Sequence, residues 1–182
     1  MRRLACLAAV LLGLSACDGG SDRVPAPATP AESFAYNAAG DISGYYMPLD
    51  ETRFGQWSFG HVFVGQAAEF EAWDGGRRSA TFAPVMLVFD DVTSPLTQTE
   101  LGETRSVSVR VLPTVYAVDD VQLRFEGSSP ELGRVIFDGR MDQGALATSR
   151  RNLGDEGVVM TGSLKVGDAA PQAVRLRWWM GD

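Results

Sequence analysis

The chain has 182 residues, with 23 acidic against 16 basic side chains, a formal net charge of -7, one histidine and two cysteines. Lys165 and the arginines are scattered along it, so it offers no basic footprint for nucleic acid or anionic head groups, and neither is an expected partner of the folded part. Both cysteines lie within the first seventeen residues, which excludes a disulfide framework, a thiolate metal site or a cysteine nucleophile from everything that follows.

Arg2 and Arg3 open the chain, an apolar run follows from Leu4 to Leu14, and small residues precede Cys17, the layout of a secretory signal. As a helix, the eleven residues Leu4 to Leu14 would reach about 17 Å, well short of the roughly 30 Å hydrocarbon core, so a spanning anchor is not expected. The tetrapeptide Leu14-Ser15-Ala16-Cys17 resembles the lipobox of bacterial lipoproteins. That resemblance implies a signal peptide over residues 1–16, diacylglyceryl transfer to the Cys17 sulfur, cleavage before Cys17 and acylation of its new amino group. Each buried methylene contributes about 0.8 kcal/mol, so two or more acyl chains give durable anchoring. Asp18 directly after the cysteine resembles the inner-membrane retention signal of enteric bacteria, and leans the expected location to that membrane, with the domain facing the periplasm. Without Arg2 and Arg3 the mature chain keeps 14 basic against 23 acidic side chains, a charge of -9. Cys6 leaves with the leader and Cys17 carries the lipid, so the folded part must be held by its core alone.

Residues 17–40 read as a lipidated cysteine and a tether, with prolines at 25, 27 and 30 among small and polar residues. A flexible coil of that length would span about 26 Å r.m.s.. Phe34 and Tyr36 stand out within it as the start of an edge strand or a docking point. Residues 41–182 change to short alternating runs punctuated by Gly, Pro and Asp, which predicts one all-β domain. The strands are expected over Ile42–Met47, Trp57–Val64, Ala68–Trp73 and Thr81–Phe89, then Arg105–Leu112, Val115–Phe125, Gly133–Phe137, Val158–Val166 and Ala173–Met180. Val107, Val109 and Val111 alternate with Ser106, Ser108 and Arg110, and Val121, Leu123 and Phe125 with Gln122, Arg124 and Glu126, placing one face on a core and one in water. Asp74-Gly75-Gly76 reads as a tight hairpin turn and Gly167–Pro171 as a longer one. Gly144–Leu153 is the one expected helix, with Asp142 before it as a cap and Gly154 after it as a stop.

Few residue sets offer chemistry. His61 is the only histidine, and neither a Gly-x-Ser-x-Gly elbow nor a Ser-x-x-Lys motif accompanies it, so it reads as a strand histidine on a polar or partly buried face. No H-E-x-x-H or comparable spacing suggests zinc. Glu69 and Glu71 fall on one face of an expected strand, a solvated outer face rather than a paired-carboxylate site. Asp90-Asp91, Asp119-Asp120, and Asp138 with Asp142 match no calcium loop and read as strand ends and turns. Aromatics remain. Adjacent tryptophans in a strand point to opposite sides, and Trp178 shares a face with Val174 and Leu176, so Trp179 is the one expected outside. Trp179, Tyr45, Tyr46 and Trp57 are the candidate binding residues, since exposed aromatics anchor partners.

The expectation is a single all-β sandwich or small antiparallel barrel of eight to nine strands with one short helix. It needs no metal or cofactor and is tethered to the membrane through Cys17. It would act without catalysis as an interaction or assembly module for another envelope protein. The alternative is a carrier of a small apolar ligand inside a barrel, because Gly162-Ser163-Leu164-Lys165-Val166 and its turn resemble the end of periplasmic polyisoprenoid-binding barrel proteins. A carboxylate-based hydrolase ranks third.

Overall fold

The computed structural model describes residues 33–99 and 102–181. In chain order the elements are β1 (Ser33–Tyr36), β2 (Gly44–Pro48), β3 (Arg53–Phe54), β4 (Trp57–Val64), α1 (Ala67–Asp74), β5 (Val85–Asp91), β6 (Leu96–Thr99) and β7 (Gly102–Arg105). There follow β8 (Ser108–Val111), β9 (Pro113–Val118), β10 (Gln122–Ser129), β11 (Gly133–Met141), α2 (Gln143–Arg151), β12 (Met160–Val166) and β13 (Gln172–Trp179).

The fold is all-β. One sheet runs in the order β1-β9-β10-β11-β12-β13-β2-β4-β5-β8, with β3 added on β4, while β6 and β7 form a separate hairpin. Every pairing is antiparallel except β1 with β9. Near the two extremes of that order lie β8 and β9, yet only Leu112 separates them in the chain. The sheet therefore curls into a half-barrel that brings β8 against β10, and a Cβ on Gly127 of β10 would touch the Val111 side chain of β8 at 2.9 Å. The same position would lie 2.3 Å from the Leu112 carbonyl oxygen, so only a glycine lets the backbones approach this closely at the seam.

Alternation decides which side chains enter the barrel. Leu123 and Phe125 of β10, Val135 and Phe137 of β11, Leu164 of β12, and Val174, Leu176 and Trp178 of β13 all face inward and are buried, as the period of two requires. The interior is filled by them together with Tyr46, Phe89, Leu87 and Tyr116.

Both helices sit at the end where β4, β9, β11 and β13 finish. The expected helix is present, and the Asp142 side chain caps it by accepting from the Ala145 amide at 2.9 Å; the last helical residue is Arg151. The expected strand over Ala68–Trp73 is instead α1, and Asp74-Gly75-Gly76 ends a helix rather than turning a hairpin. The spacing that misleads is Glu69-Phe70-Glu71-Ala72, which alternates. Phe70 and Trp73, three apart, form the buried stripe, and the Glu69 carboxylate accepts from the Gln66 amide at 2.7 Å, closing the first turn. Glu69 and Glu71 therefore share no strand face.

Three further differences have local causes. Val115–Phe125 is two strands, because Asp119 Oδ1 accepts from the Val121 and Gln122 amides at 2.7 and 2.8 Å and turns the chain. Arg105–Leu112 is broken at Ser106–Val107, the base of the β6–β7 hairpin. Strand structure also begins before residue 41, since Ser33–Tyr36 pairs with Val115–Val118. There Phe34 and Tyr36 serve the core: Tyr36 stacks on Phe70 at 4.0 Å and Phe34 meets Tyr116 at 4.9 Å.

Trp73 Nε1 is buried without a hydrogen-bond partner among the described residues, and an unsatisfied buried donor costs about 1–3 kcal/mol. Trp73→Phe removes the donor with part of the packing, and is expected to change stability by no more than about 1 kcal/mol, whereas Trp73→Ala loses about 3 kcal/mol or more. Urea denaturation of the two variants separates these outcomes.

Candidate functional site

The outer face of β2-β4-β5-β8 carries a concavity that the β6–β7 hairpin borders. Its geometry starts from a bulge. Phe59 of β4 faces the core, so strict alternation would turn His61 inward as well. The register instead slips between Phe59 and His61 opposite β5. Gly60 is the extra residue, after which Val62 and Val64 face inward and His61 and Phe63 face out.

Cross-strand pairing then lays out two rows. In the first, Trp179 stands opposite Tyr45, Tyr45 opposite Phe63, and Phe63 opposite Met86. Ring centroids are 5.5 Å apart for Tyr45 and Trp179 and 5.3 Å for Tyr45 and Phe63, and Phe82 adds its edge to Phe63 at 5.7 Å. In the second row His61 stands opposite Val88 and Val88 opposite Arg110, with Asp90 and Ser108 paired beyond. Tyr45 joins the rows through an edge contact with the His61 ring at 5.2 Å.

The hairpin supplies one wall with Leu96, Glu103, Thr104 and Arg105, bounding a groove of about 770 Å³, within the size range of small-ligand sites. It is pinned at its base. Arg105 donates to the Ser94 carbonyl at 2.9 Å, Ser106 N–H donates to the Pro95 carbonyl at 2.9 Å, and the Ser94 hydroxyl donates to the Asp91 carbonyl at 2.7 Å.

Burial first, and then the Arg110 charge, holds the His61 imidazole down to about 4. At neutral pH it is uncharged, with one ring nitrogen donating and the other accepting. Burial raises the Asp90 carboxyl, opposed by Arg105. Arg110 itself is exposed and makes no ion pair or hydrogen bond among the described residues. Although His61, Ser108 and Asp90 line one groove, no hydrogen bond joins His61 to either of the others among the described residues, and such bonds are what a nucleophile and base relay uses.

Of the candidate binding residues, Tyr45 lines the groove, and Trp179 packs on Tyr45 beside it without lining it. Trp178 and Trp179 divide as adjacent strand residues must: Trp178 is buried and its indole N–H donates to the Ser43 carbonyl at 3.0 Å, while Trp179 faces out. Tyr46 cannot meet a partner. It is fully buried and its hydroxyl donates to the Ile42 carbonyl at 2.6 Å. Trp57 packs against the core at the start of β4, outside the groove. Cys17 and the leader lie outside the described residues.

Asp91 and Asp120 serve the backbone, and Asp138 an exposed ion pair. Asp91 accepts from the Thr93 amide and hydroxyl, Asp120 from the Ala39 and Gly40 amides, and Asp138 pairs with Arg124. No group of three or more potential metal ligands forms among the described residues, nor is any described helix long and apolar enough to cross a membrane.

His61, Phe63, Phe82, Met86 and Arg110 were not legible as a set. The only signal was Gly60, whose place inside a strand marks a bulge and hence a change of face. Comparison of the chain with protein-family models, with curated proteins and with solved structures found no match.

Proposed function

We propose that the protein is a lipid-tethered, non-catalytic binding module of the bacterial envelope, anchored through Cys17 and facing the periplasm, whose working surface is the outer groove. The observation that carries this reading is the cross-strand row Trp179–Tyr45–Phe63–Met86, outside a barrel whose inside is filled with side chains. A packed lumen supports a surface function over carriage of an apolar molecule within the barrel, and half-buried aromatics at a rim are the residue types that anchor partners.

The test is photo-crosslinking in intact cells from a benzophenone amino acid at position 82, on the groove rim, with position 163 on the far, outward face of β12 as the comparison. A discrete adduct from position 82 that disappears in a Tyr45→Ser background is expected. Equal labelling from both positions, or none from either, would overturn the reading.

A further inference from the structure

The second row of the groove gives it a polarity that the aromatic row alone lacks. Trp179, Tyr45, Phe63 and Met86 make an apolar strip one side chain wide across four strands. One pleat along, the row ends in a guanidinium, Arg110 on β8, with the uncharged His61 between it and Tyr45. The hairpin brings two charges to the groove: Arg105, which donates to the Ser94 carbonyl and faces Asp90 electrostatically, and the exposed Glu103. Arg110 is the groove's cation without a partner among the described residues. A guanidinium beside an apolar strip is complementary to an apolar body carrying a single anionic head, and a planar fork matches a carboxylate in particular.

We propose that this groove binds a small amphipathic carboxylate, its apolar portion lying along Tyr45, Phe63 and Met86 and its carboxylate paired with Arg110 beside His61. The inference rests on the groove being the working surface, and names the class of ligand that surface takes. A volume of about 770 Å³ accommodates a ten-carbon chain with room for its head group. Because the hairpin borders the strip, the groove admits a single chain from the side and not the flat surface of a bilayer.

His61 is the chain's only histidine, so its ring resonances report on the groove without assignment of any other residue. The experiment follows those resonances at pH 7 in the soluble domain, residues 18–182, while adding decanoate, decyltrimethylammonium, or phosphatidylglycerol vesicles. Decanoate should shift them saturably, and the cationic amphiphile and the vesicles should not. Arg110→Gln should weaken decanoate binding by about tenfold or more, the range of a charge-assisted hydrogen bond, while Arg124→Gln, on the outer face of β10, leaves it unchanged. Equal shifts from both amphiphiles, a response to vesicles alone, no response to decanoate, or undiminished binding by Arg110→Gln would overturn the inference. Failure here with a position-82 adduct to a protein retained would remove the ligand class and keep the binding module. Failure of both would remove the groove.

Discussion

Phe70→Ala is expected to cost about 4 kcal/mol of stability, the range for deleting a fully buried aromatic side chain. Phe70 is 1% exposed, stacks on Tyr36 at 4.0 Å and meets Tyr116 edge-on at 5.4 Å. Its removal therefore leaves a cavity between α1, β1 and β9, of which β1 and β9 join across about 80 residues of sequence. Aromatic pairs add about 0.5–1.5 kcal/mol beyond area, so the loss should exceed that of a core leucine of similar burial. Equilibrium urea unfolding of Phe70→Ala beside Ala68→Ser, an exposed position on the same helix, checks it. A loss below about 1 kcal/mol for Phe70→Ala would mean that this segment lies on the surface, as an alternating strand with Phe70 on a shallow face would place it.

Gly127→Ala is expected to cost about 3 kcal/mol, at the upper end of what overpacking costs. The added methyl would meet a backbone oxygen, Leu112 O at 2.3 Å, as well as Val111 and the Phe125 ring at 2.9 Å. A side chain can swing aside; the carbonyl cannot move without shifting the joint between β8 and β9. The register of β9 against β10 already slips between Glu126 and Gly127, so the position sits at an irregularity that the sheet uses to turn the corner. Thermal unfolding should show a drop of several degrees, against little change for Gly154→Ala, where the nearest atom to a new Cβ is 3.9 Å away. Equal melting temperatures for the two variants would show that the seam has slack.

These two positions also mark where the sequence stops informing. The all-β class, the inward faces of β10 and β13, the α2 helix with its Asp142 cap, and the division of Trp178 from Trp179 follow from alternation and capping, which are local properties. Ala67–Asp74 escapes because four residues of alternation satisfy both periods, and only the Gln66–Glu69 bond and the contacts of Phe70 with Tyr36 and Tyr116 decide between them. The groove escapes for a different reason. Tyr45 and Trp179 were identifiable singly, but their meeting with Phe63 depends on β2 lying between β13 and β4, and the outward turn of His61 depends on one unpaired glycine. Tyr46 misleads because Tyr45-Tyr46, like any adjacent pair, sends one ring to each face, and nothing local says which face is the lumen.

The pairing of β13 with β2 sets the order in which the molecule can be made. Trp179 aligns with Tyr45 and Leu176 with Pro48, a separation of about 130 residues, and β1 finds β9 across about 80, so contact order is high and folding is expected to be slow. During synthesis β2 has only β4 beside it until residue 179 has emerged, and the barrel cannot close on its core before then. The same delay exposes the valine- and phenylalanine-rich β4 and β5 to other chains, so holding by a chaperone during that interval would favour closure over aggregation.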